Sequence, residues 1–144
     1  MSGSNLDFAR QLLRKGENDL FTAGCVLREP QGPTDTPCFH AQQPVEKAIK
    51  AVLTACGIRF GRTHDLMPLL DDAACRVPEL AQYRAACAQL SAYAVAVRYP
   101  EDLQDPTREE AGEALQWAQE IHTVAARFLA DLCPDGTRDA DAGE

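Results

Sequence analysis

Residues 38–53 read CFHAQQPVEKAIKAVL, with apolar residues repeating at the spacing of one face of an α-helix. At about 100° per residue, the apolar arc is centred on Ala41, Val45, Ala48 and Val52. An arc of this width is typical of a helix that packs against neighbouring elements along one side. The stretch therefore predicts a core helix whose neighbours the rest of the chain must supply.

Polar residues border this apolar arc instead of lying opposite it. Gln42, Glu46 and Lys50 form a column at i, i+4 spacing along the edge of the arc, and Gln43 lies one row further out. An exposed Glu–Lys pair of this kind contributes only about 0.3 to 0.5 kcal/mol, which is a weak reason for a glutamate here. The column either satisfies polar groups of a neighbouring helix, most simply Arg98, or lines a polar cleft that takes a ligand.

The same helical periodicity runs through almost the whole chain, and no alternating stretch typical of a β-strand is present in the sequence. The pattern predicts an all-α fold, an up-down bundle of four long helices and one short helix. The predicted helices cover residues 5–27, 36–56, 64–76, 78–99 and 107–133. Residues 1–133 form the predicted single domain, and residues 134–144 form an acidic tail that we predict to be disordered.

Capping residues predict where several of these helices begin. Thr36 is the predicted N-cap of the second helix and Thr63 that of the third. Thr107 and Glu110 have the T-x-x-E spacing of a capping box at the start of the fifth helix. Pro44 lies inside the second helix and removes a backbone donor, which predicts a local kink.

Charge is unevenly distributed along the sequence. The 144 residues have a net charge of -8, which disfavours a general nucleic-acid coat because non-specific binding to phosphates depends on Lys and Arg. Residues 41–62 differ, with a local charge of +3. The charged residues of this segment are Lys47, Lys50, Arg59 and Arg62, opposed by Glu46 alone. An anion would therefore be attracted to this part of the chain.

Several classes of protein are disfavoured. No stretch is long and apolar enough to span a membrane and the N-terminus has no signal-peptide pattern, so we predict a cytoplasmic protein without membrane association. The six cysteines include no C-x-x-C pair and are predicted to be small buried side chains. His40, His64 and His122 lie on three different predicted helices and are interpreted as surface or boundary residues. No metal site, Gly-rich phosphate loop or cofactor is predicted.

Three segments together resemble the HEPN family of small helical bundles. They are residues 39–70 (FHAQQPVEKAIKAVLTACGIRFGRTHDLMPLL), residues 93–102 (YAVAVRYPED) and residues 109–121 (EEAGEALQWAQEI). The resemblance extends over residues 6–132. HEPN proteins are prokaryotic and often encoded beside a minimal nucleotidyltransferase. The resemblance implies a homodimer, a nucleotidyltransferase partner, and either ribonuclease activity or binding of a nucleotide or partner.

The ribonuclease branch of the family has an arginine followed four to six residues later by a histidine near the start of the last long helix. The matching arginine is Arg98, and residues 98–110 (RYPEDLQDPTREE) contain no histidine. The resemblance therefore implies that the catalytic pair is absent at this place. Arg59 and His64 have the required spacing in the loop between the second and third helices, and they support an alternative hypothesis of a metal-independent ribonuclease toxin.

The preferred interpretation is a non-catalytic HEPN-like protein that binds a nucleotide or nucleic-acid phosphate and acts with a nucleotidyltransferase, as one half of a toxin–antitoxin pair. A pure protein-interaction module is a further alternative. Arginine and lysine would meet phosphate, the start of the third helix would add its dipole, and Tyr99 would stack on a base. Glu46 would orient Arg98. The candidate ligand-binding residues are Gln42, Gln43, Glu46, Lys47, Lys50, Arg62, His64, Asp65, Arg98 and Tyr99.

Overall fold

The computed structural model describes residues 3–94 and 104–132. Its α-helices are α1 (Gly3–Arg28), α2 (Asp35–Ala55), α3 (Leu66–Ala74), α4 (Arg84–Ser91) and α5 (Arg108–Leu132). No β-strand occurs in these two described ranges, and the predicted all-α bundle is confirmed. None of the described helices combines the length and the apolar character needed to cross a membrane.

α2 lies at the centre of the bundle because apolar residues cover most of its circumference. It packs against all four other helices. Ile49 and Leu53, which flank the four residues at the centre of the predicted arc, are as fully buried as those residues. The predicted arc residues have no exposed surface: Ala41, Val45, Ala48 and Val52. The prediction of a core helix is therefore confirmed, and α2 is buried on more sides than one arc requires.

Three helices approach closely at Gly16 of α1. A Cβ atom built on Gly16 would lie 3.4 Å from Pro44 Cα of α2 and 3.4 Å from His122 Cδ2 of α5. Pro44 is buried within α2, which remains one helix from Asp35 to Ala55. His122 is also buried, and its Nε2 donates to the Leu13 carbonyl at 2.9 Å. The interpretation of His122 as a surface or boundary residue is wrong, because its ring ties α5 to α1.

The ends of α2 lie close to the predicted positions. The helix begins at Asp35, whose Oδ1 accepts from the Thr36 backbone N at 2.9 Å, so the predicted N-cap at Thr36 is wrong. Thr34 occupies the N-cap position without a side-chain capping bond. A carboxylate in the first turn favours the earlier start because it interacts with the positive end of the helix dipole. Gly57 has a φ of 72° and ends the helix as predicted.

α3 begins two residues later than predicted, at Leu66 instead of His64. Asp65 is the N-cap, and its Oδ1 accepts from the Met67 backbone N at 3.1 Å. Thr63 Oγ1 accepts from the backbone N of Asp65 at 3.1 Å and so precedes the cap. The predicted cap at Thr63 is wrong because the ionised side chain of Asp65 is the stronger acceptor at a helix N-terminus.

The fourth predicted helix is shorter than expected in the described residues. Its first part, Pro78–Tyr83, is a 3-10 helix, and a second 3-10 helix, Ala92–Ala94, follows α4. Pro78 has no N–H to donate, and tight 3-10 turns are common at helix ends. Three long helices are therefore described where four were predicted. The predicted end of this helix, at residues 95–99, lies outside the described residues.

The start of α5 is fixed by two sets of contacts. The predicted capping box is confirmed, since Thr107 N donates to Glu110 Oε1 at 2.8 Å and Glu110 N donates to Thr107 Oγ1 at 3.0 Å. Arg108 adds four hydrogen bonds from its guanidinium to backbone carbonyls at the end of α1. The acceptors are Leu27 at 2.6 Å, Glu29 at 3.0 Å, Pro30 at 3.2 Å and Gly32 at 3.2 Å. These bonds satisfy carbonyls that a helix end leaves free.

The cysteines differ in exposure. Cys38 and Cys87 are buried as predicted, and burial raises the pKa of the Cys38 thiol to about 11 and that of Cys87 to about 12. Cys56 is half-buried. The prediction is wrong for Cys25 and Cys75, which are exposed. All five described cysteines are free thiols.

Replacing Gly112 by alanine is expected to raise the free energy of unfolding by about 0.5 to 1 kcal/mol, because alanine favours a helix interior more than glycine does. The added Cβ would meet only Leu27 Cδ2, at 4.0 Å, which is ordinary contact. Urea unfolding of both proteins measures the change. Gly3→Ala, at the first residue of α1, is the control and should change stability less. A loss of stability in Gly112→Ala would show that the structure has less space beside Gly112 than the 4.0 Å contact with Leu27 indicates.

Candidate functional site

The polar column of α2 is organised around the carboxylate of Glu46, whose side chain is 9% exposed. Gln42 Nε2 donates to Glu46 Oε1 at 3.1 Å, and Lys50 Nζ donates to Oε2 at 2.9 Å. His64 Nδ1, from the loop after α2, lies 2.9 Å from Oε1. The i, i+4 spacing of α2 supplies two partners and the loop supplies the third. We call these four residues the Glu46 cluster.

The Glu46 carboxylate is ionised near neutral pH. Burial acts to raise its pKa, but the hydrogen bonds from Lys50, His64 and Gln42 outweigh burial, and the pKa lies below its ordinary value. The folded pKa is therefore lower than the pKa in the unfolded chain. The stability that this difference in pKa contributes is fully present above the pKa of Glu46 in the unfolded chain, about 4.5. It is lost as the pH falls through the pKa of Glu46 in the folded protein.

The stability advantage of the natural protein over Glu46→Gln is expected to shrink as the pH is lowered. Glutamine has the shape of glutamate but no titrating charge. The stability of the variant therefore lacks the pH dependence that Glu46 provides. Urea unfolding of both proteins from about pH 7 to about pH 3 measures the difference. A difference that stays constant over this range would show that the Glu46 charge does not contribute to stability.

Residues 57–65, which we call the basic loop, are attached to α2 at two points. His64 contacts Glu46, and Lys50 Nζ lies 5.5 Å from the centroid of the Phe60 ring. The side chain of His64 remains 73% exposed. Arg59 and Arg62 are exposed, and neither forms an ion pair with the part of the chain that the structure describes. The loop is therefore anchored by two side chains while its two guanidinium groups remain in solvent.

Two other candidates on α2 have different partners. Gln43 Nε2 donates to Gln42 Oε1 at 2.6 Å, so Gln43 extends the Glu46 cluster. Lys47 points towards α1 instead, with its Nζ 2.5 Å from Asp19 Oδ2. His40 Nδ1 lies 3.7 Å from the other oxygen of Asp19. Asp19 was missed by sequence reasoning, because the helical spacing within α2 does not show which residues of α1 face it.

The start of α3 does not provide free amides for an anion. Asp65 caps the helix with its own carboxylate, and the backbone N of Leu66 donates to Ser91 Oγ at 3.1 Å. Asp65 is therefore occupied in a structural contact. Arg98 and Tyr99 lie outside the described residues, as does the predicted contact between Glu46 and Arg98.

Metal ligands do not converge in the described ranges 3–94 and 104–132. No group of three His, Cys, Asp or Glu side chains is placed there to hold a metal ion.

The contact between Glu46 and His64 orients the histidine ring. A carboxylate that accepts from Nδ1–H holds the neutral tautomer whose Nε2 accepts a proton. In that state Nε2 can take a proton from a hydroxyl group; as a cation, the same ring can donate to a phosphate oxygen. Arg59 and Arg62 add fixed positive charge on the same loop. The geometry suits a phosphate-containing ligand held beside an oriented imidazole.

The chain belongs to the HEPN domain family, whose model matches residues 9–128. It is also 30% identical, over 143 aligned residues, to a protein of Methanocaldococcus jannaschii named "Putative toxin MJ1304". The alignment covers 89% of this chain and 92% of the archaeal protein. No solved structure matches the chain.

Proposed function

We propose that this HEPN protein binds the phosphate groups of a nucleotide or RNA on the basic loop and acts with a nucleotidyltransferase partner in a toxin–antitoxin pair. The observation that carries the proposal is the anchored basic loop. Glu46 holds His64 and Lys50 in place, and Arg59 and Arg62 extend into solvent without ion-pair partners in the described chain.

The distribution of charge around α2 favours binding of an anion by the basic loop over binding by the face of α2. Lys47 is paired with Asp19, and Lys50 is paired with Glu46. Their charges are already compensated, so an anion gains less from them than from the free guanidinium groups of Arg59 and Arg62. Arg62 and His64 therefore remain the strongest of the predicted ligand-binding residues, and Arg59 joins them.

The proposed partner and assembly are supported by the family. The relative from Methanocaldococcus jannaschii is named "Putative toxin MJ1304". The resemblance of residues 39–70 to HEPN proteins implies a homodimer encoded beside a nucleotidyltransferase. Co-expression with the product of the neighbouring gene, followed by affinity purification, tests the partner. Light scattering on the purified chain tests the homodimer. A monomer that never co-purifies with a nucleotidyltransferase would contradict this part of the proposal.

Phosphate binding is tested by reversing the charge of the basic loop. In Arg59→Glu/Arg62→Glu, the affinity for a short single-stranded RNA is expected to fall by about thirtyfold or more. The slope of log affinity against log salt should also become shallower by about 1.4, the value for two lost phosphate contacts. Fluorescence anisotropy with labelled RNA measures both, and calorimetry with ATP tests whether a nucleotide suffices.

The matched control is Arg14→Glu/Arg127→Glu, which changes the net charge equally at two exposed arginines on α1 and α5. Its affinity should stay within about threefold of the natural protein. Equal losses of RNA affinity in the two double variants would show that binding depends only on the net charge of the protein. The absence of saturable binding by the natural protein to both RNA and ATP would overturn the proposal.

RNA cleavage is a second candidate function, favoured by the 2.9 Å contact between Glu46 Oε1 and His64 Nδ1. This contact places a second group beside the Arg59/His64 pair and makes His64 Nε2 a candidate general base. Nε2 would take the proton of a ribose 2′-hydroxyl, whose oxygen attacks the adjacent phosphorus. The bond from phosphorus to the 5′-oxygen would break, and that oxygen would take a proton from water. The products are a 2′,3′-cyclic phosphate and a free 5′-hydroxyl.

Incubation of end-labelled RNA with the natural protein and with His64→Ala tests cleavage. The variant is expected to lose the activity, and Glu46→Gln to retain a small part of it because the tautomer is less firmly held. His40→Ala, at a histidine outside the Glu46 cluster, should cleave like the natural protein. Equal cleavage by the natural protein and His64→Ala would indicate a contaminating nuclease and exclude this second function.

A further inference from the structure

A cavity of about 530 Å³ opens at one end of the bundle, where α2 and α5 end and α1 begins. Its volume lies in the range of small-molecule sites, about 300 to 1,000 Å³. Apart from Gly57, its lining residues take no part in the Glu46 cluster or the basic loop. The lining residues are Asn5, Cys56, Gly57, Arg76, Phe128 and Leu132.

Part of the lining of the cavity is apolar. Phe128 and Leu132 are four residues apart on α5, so they lie on the same face, and both pack partly buried against the core. Cys56 adds a half-buried thiol. Burial raises the pKa of this thiol more than the nearby Arg76 charge lowers it, so the thiol is neutral near pH 7. This part of the lining therefore suits the apolar part of a ligand.

Arg76 supplies the charged side chain of the lining. It is exposed and forms no ion pair with the residues at positions 3–94 and 104–132. The carbonyl end of α2 would repel an anion, but three of its carbonyls already accept hydrogen bonds. Val52 O, Leu53 O and Thr54 O accept from the backbone N atoms of Cys56, Ile58 and Gly57. Among the residues that line the cavity, Arg76 is therefore the one with a charged side chain.

We propose that this cavity binds a small amphipathic anion, with its apolar body against Phe128 and Leu132 and its carboxylate, sulfonate or phosphate on Arg76. A buried apolar body and a single charge-assisted contact are the usual elements of such sites. The proposal concerns a second site and does not depend on phosphate binding by the basic loop.

The test uses the full-length chain and the aromatic sulfonate 8-anilinonaphthalene-1-sulfonate as the probe. Fluorescence titration should show saturable binding, weakened by about fivefold or more in Arg76→Gln, because the charged contact is lost. Arg84→Gln, at another exposed arginine, should bind within about twofold of the natural protein. Circular dichroism checks that the variants keep the native helical content.

Thiol protection locates the bound probe. The probe should slow alkylation of Cys56 by iodoacetamide, measured by peptide mass spectrometry, and leave the exposed thiol of Cys25 unaffected. Loss of affinity in Arg76→Gln together with protection of Cys56 supports the proposal. Unchanged affinity in Arg76→Gln, equal protection of both thiols, or the absence of saturable binding would each overturn it.

Discussion

Glu46→Ala is expected to lower the free energy of unfolding by about 3 kcal/mol, because it removes the shared acceptor of a buried polar cluster. The Gln42 amide has no exposed surface, so its Nε2 would lose its hydrogen bond without gaining one from water. The Lys50 side chain is only 16% exposed, and its ammonium group would lose its ion pair as well. Urea unfolding monitored by circular dichroism measures the loss.

Two variants show whether the loss comes from the cluster. Glu46→Gln keeps an oxygen acceptor, so its free energy of unfolding should lie between those of the natural protein and Glu46→Ala. Glu113→Ala removes an exposed glutamate of α5 that forms no ion pair within the described chain, and its effect should stay within about 0.5 kcal/mol. Similar losses at positions 46 and 113 would contradict the structural role assigned to Glu46.

Gly32→Ala is expected to lower the free energy of unfolding by about 2 to 3 kcal/mol, because the turn after α1 has no space for a side chain. A Cβ on Gly32 would lie 2.9 Å from the Val26 carbonyl oxygen and 3.1 Å from that of Glu29. Both oxygens belong to the backbone and cannot rotate away. The turn would have to move, and the bonds from Arg108 to its carbonyls would weaken.

Gly61→Ala is the matched control for this prediction. Gly61 lies in the exposed basic loop, and an added Cβ would meet no atom within 4 Å. Its effect should stay within about 0.5 kcal/mol. Thermal unfolding of both variants measures the two changes. Equal stability of Gly32→Ala and Gly61→Ala would mean that the turn after α1 adapts without cost.

The helical fold was predictable because burial in a bundle leaves a periodic trace in the sequence. The arc of α2, the capping box before α5 and the role of Gly57 each depend on residues close together in the chain. The errors at the starts of α2 and α3 arose where two neighbouring residues compete for one position. Asp65 caps α3 in place of Thr63, and Asp35 starts α2 before Thr36. Small differences in hydrogen-bond strength decide such cases.

The candidate site was predictable only along one helix. Spacing within α2 placed Gln42, Glu46 and Lys50 in one column, and the structure shows them hydrogen-bonded. The contact between His64 and Glu46 depends on the path of the basic loop. The path of a loop leaves no periodic pattern in the sequence. The pairing of Lys47 with Asp19 depends on how α1 and α2 cross. Contacts between elements require the tertiary structure.

The burial of Pro44 within α2, beside Gly16 of α1, affects when the site can form during synthesis. An interior proline costs a helix about 3 kcal/mol, so the α2 segment alone is a poor helix. It becomes stable when α1 and α5 pack against it, and α5 follows α1 and α2 in the sequence. We therefore expect a nascent chain to gain its Glu46 cluster only after α5 has been synthesised.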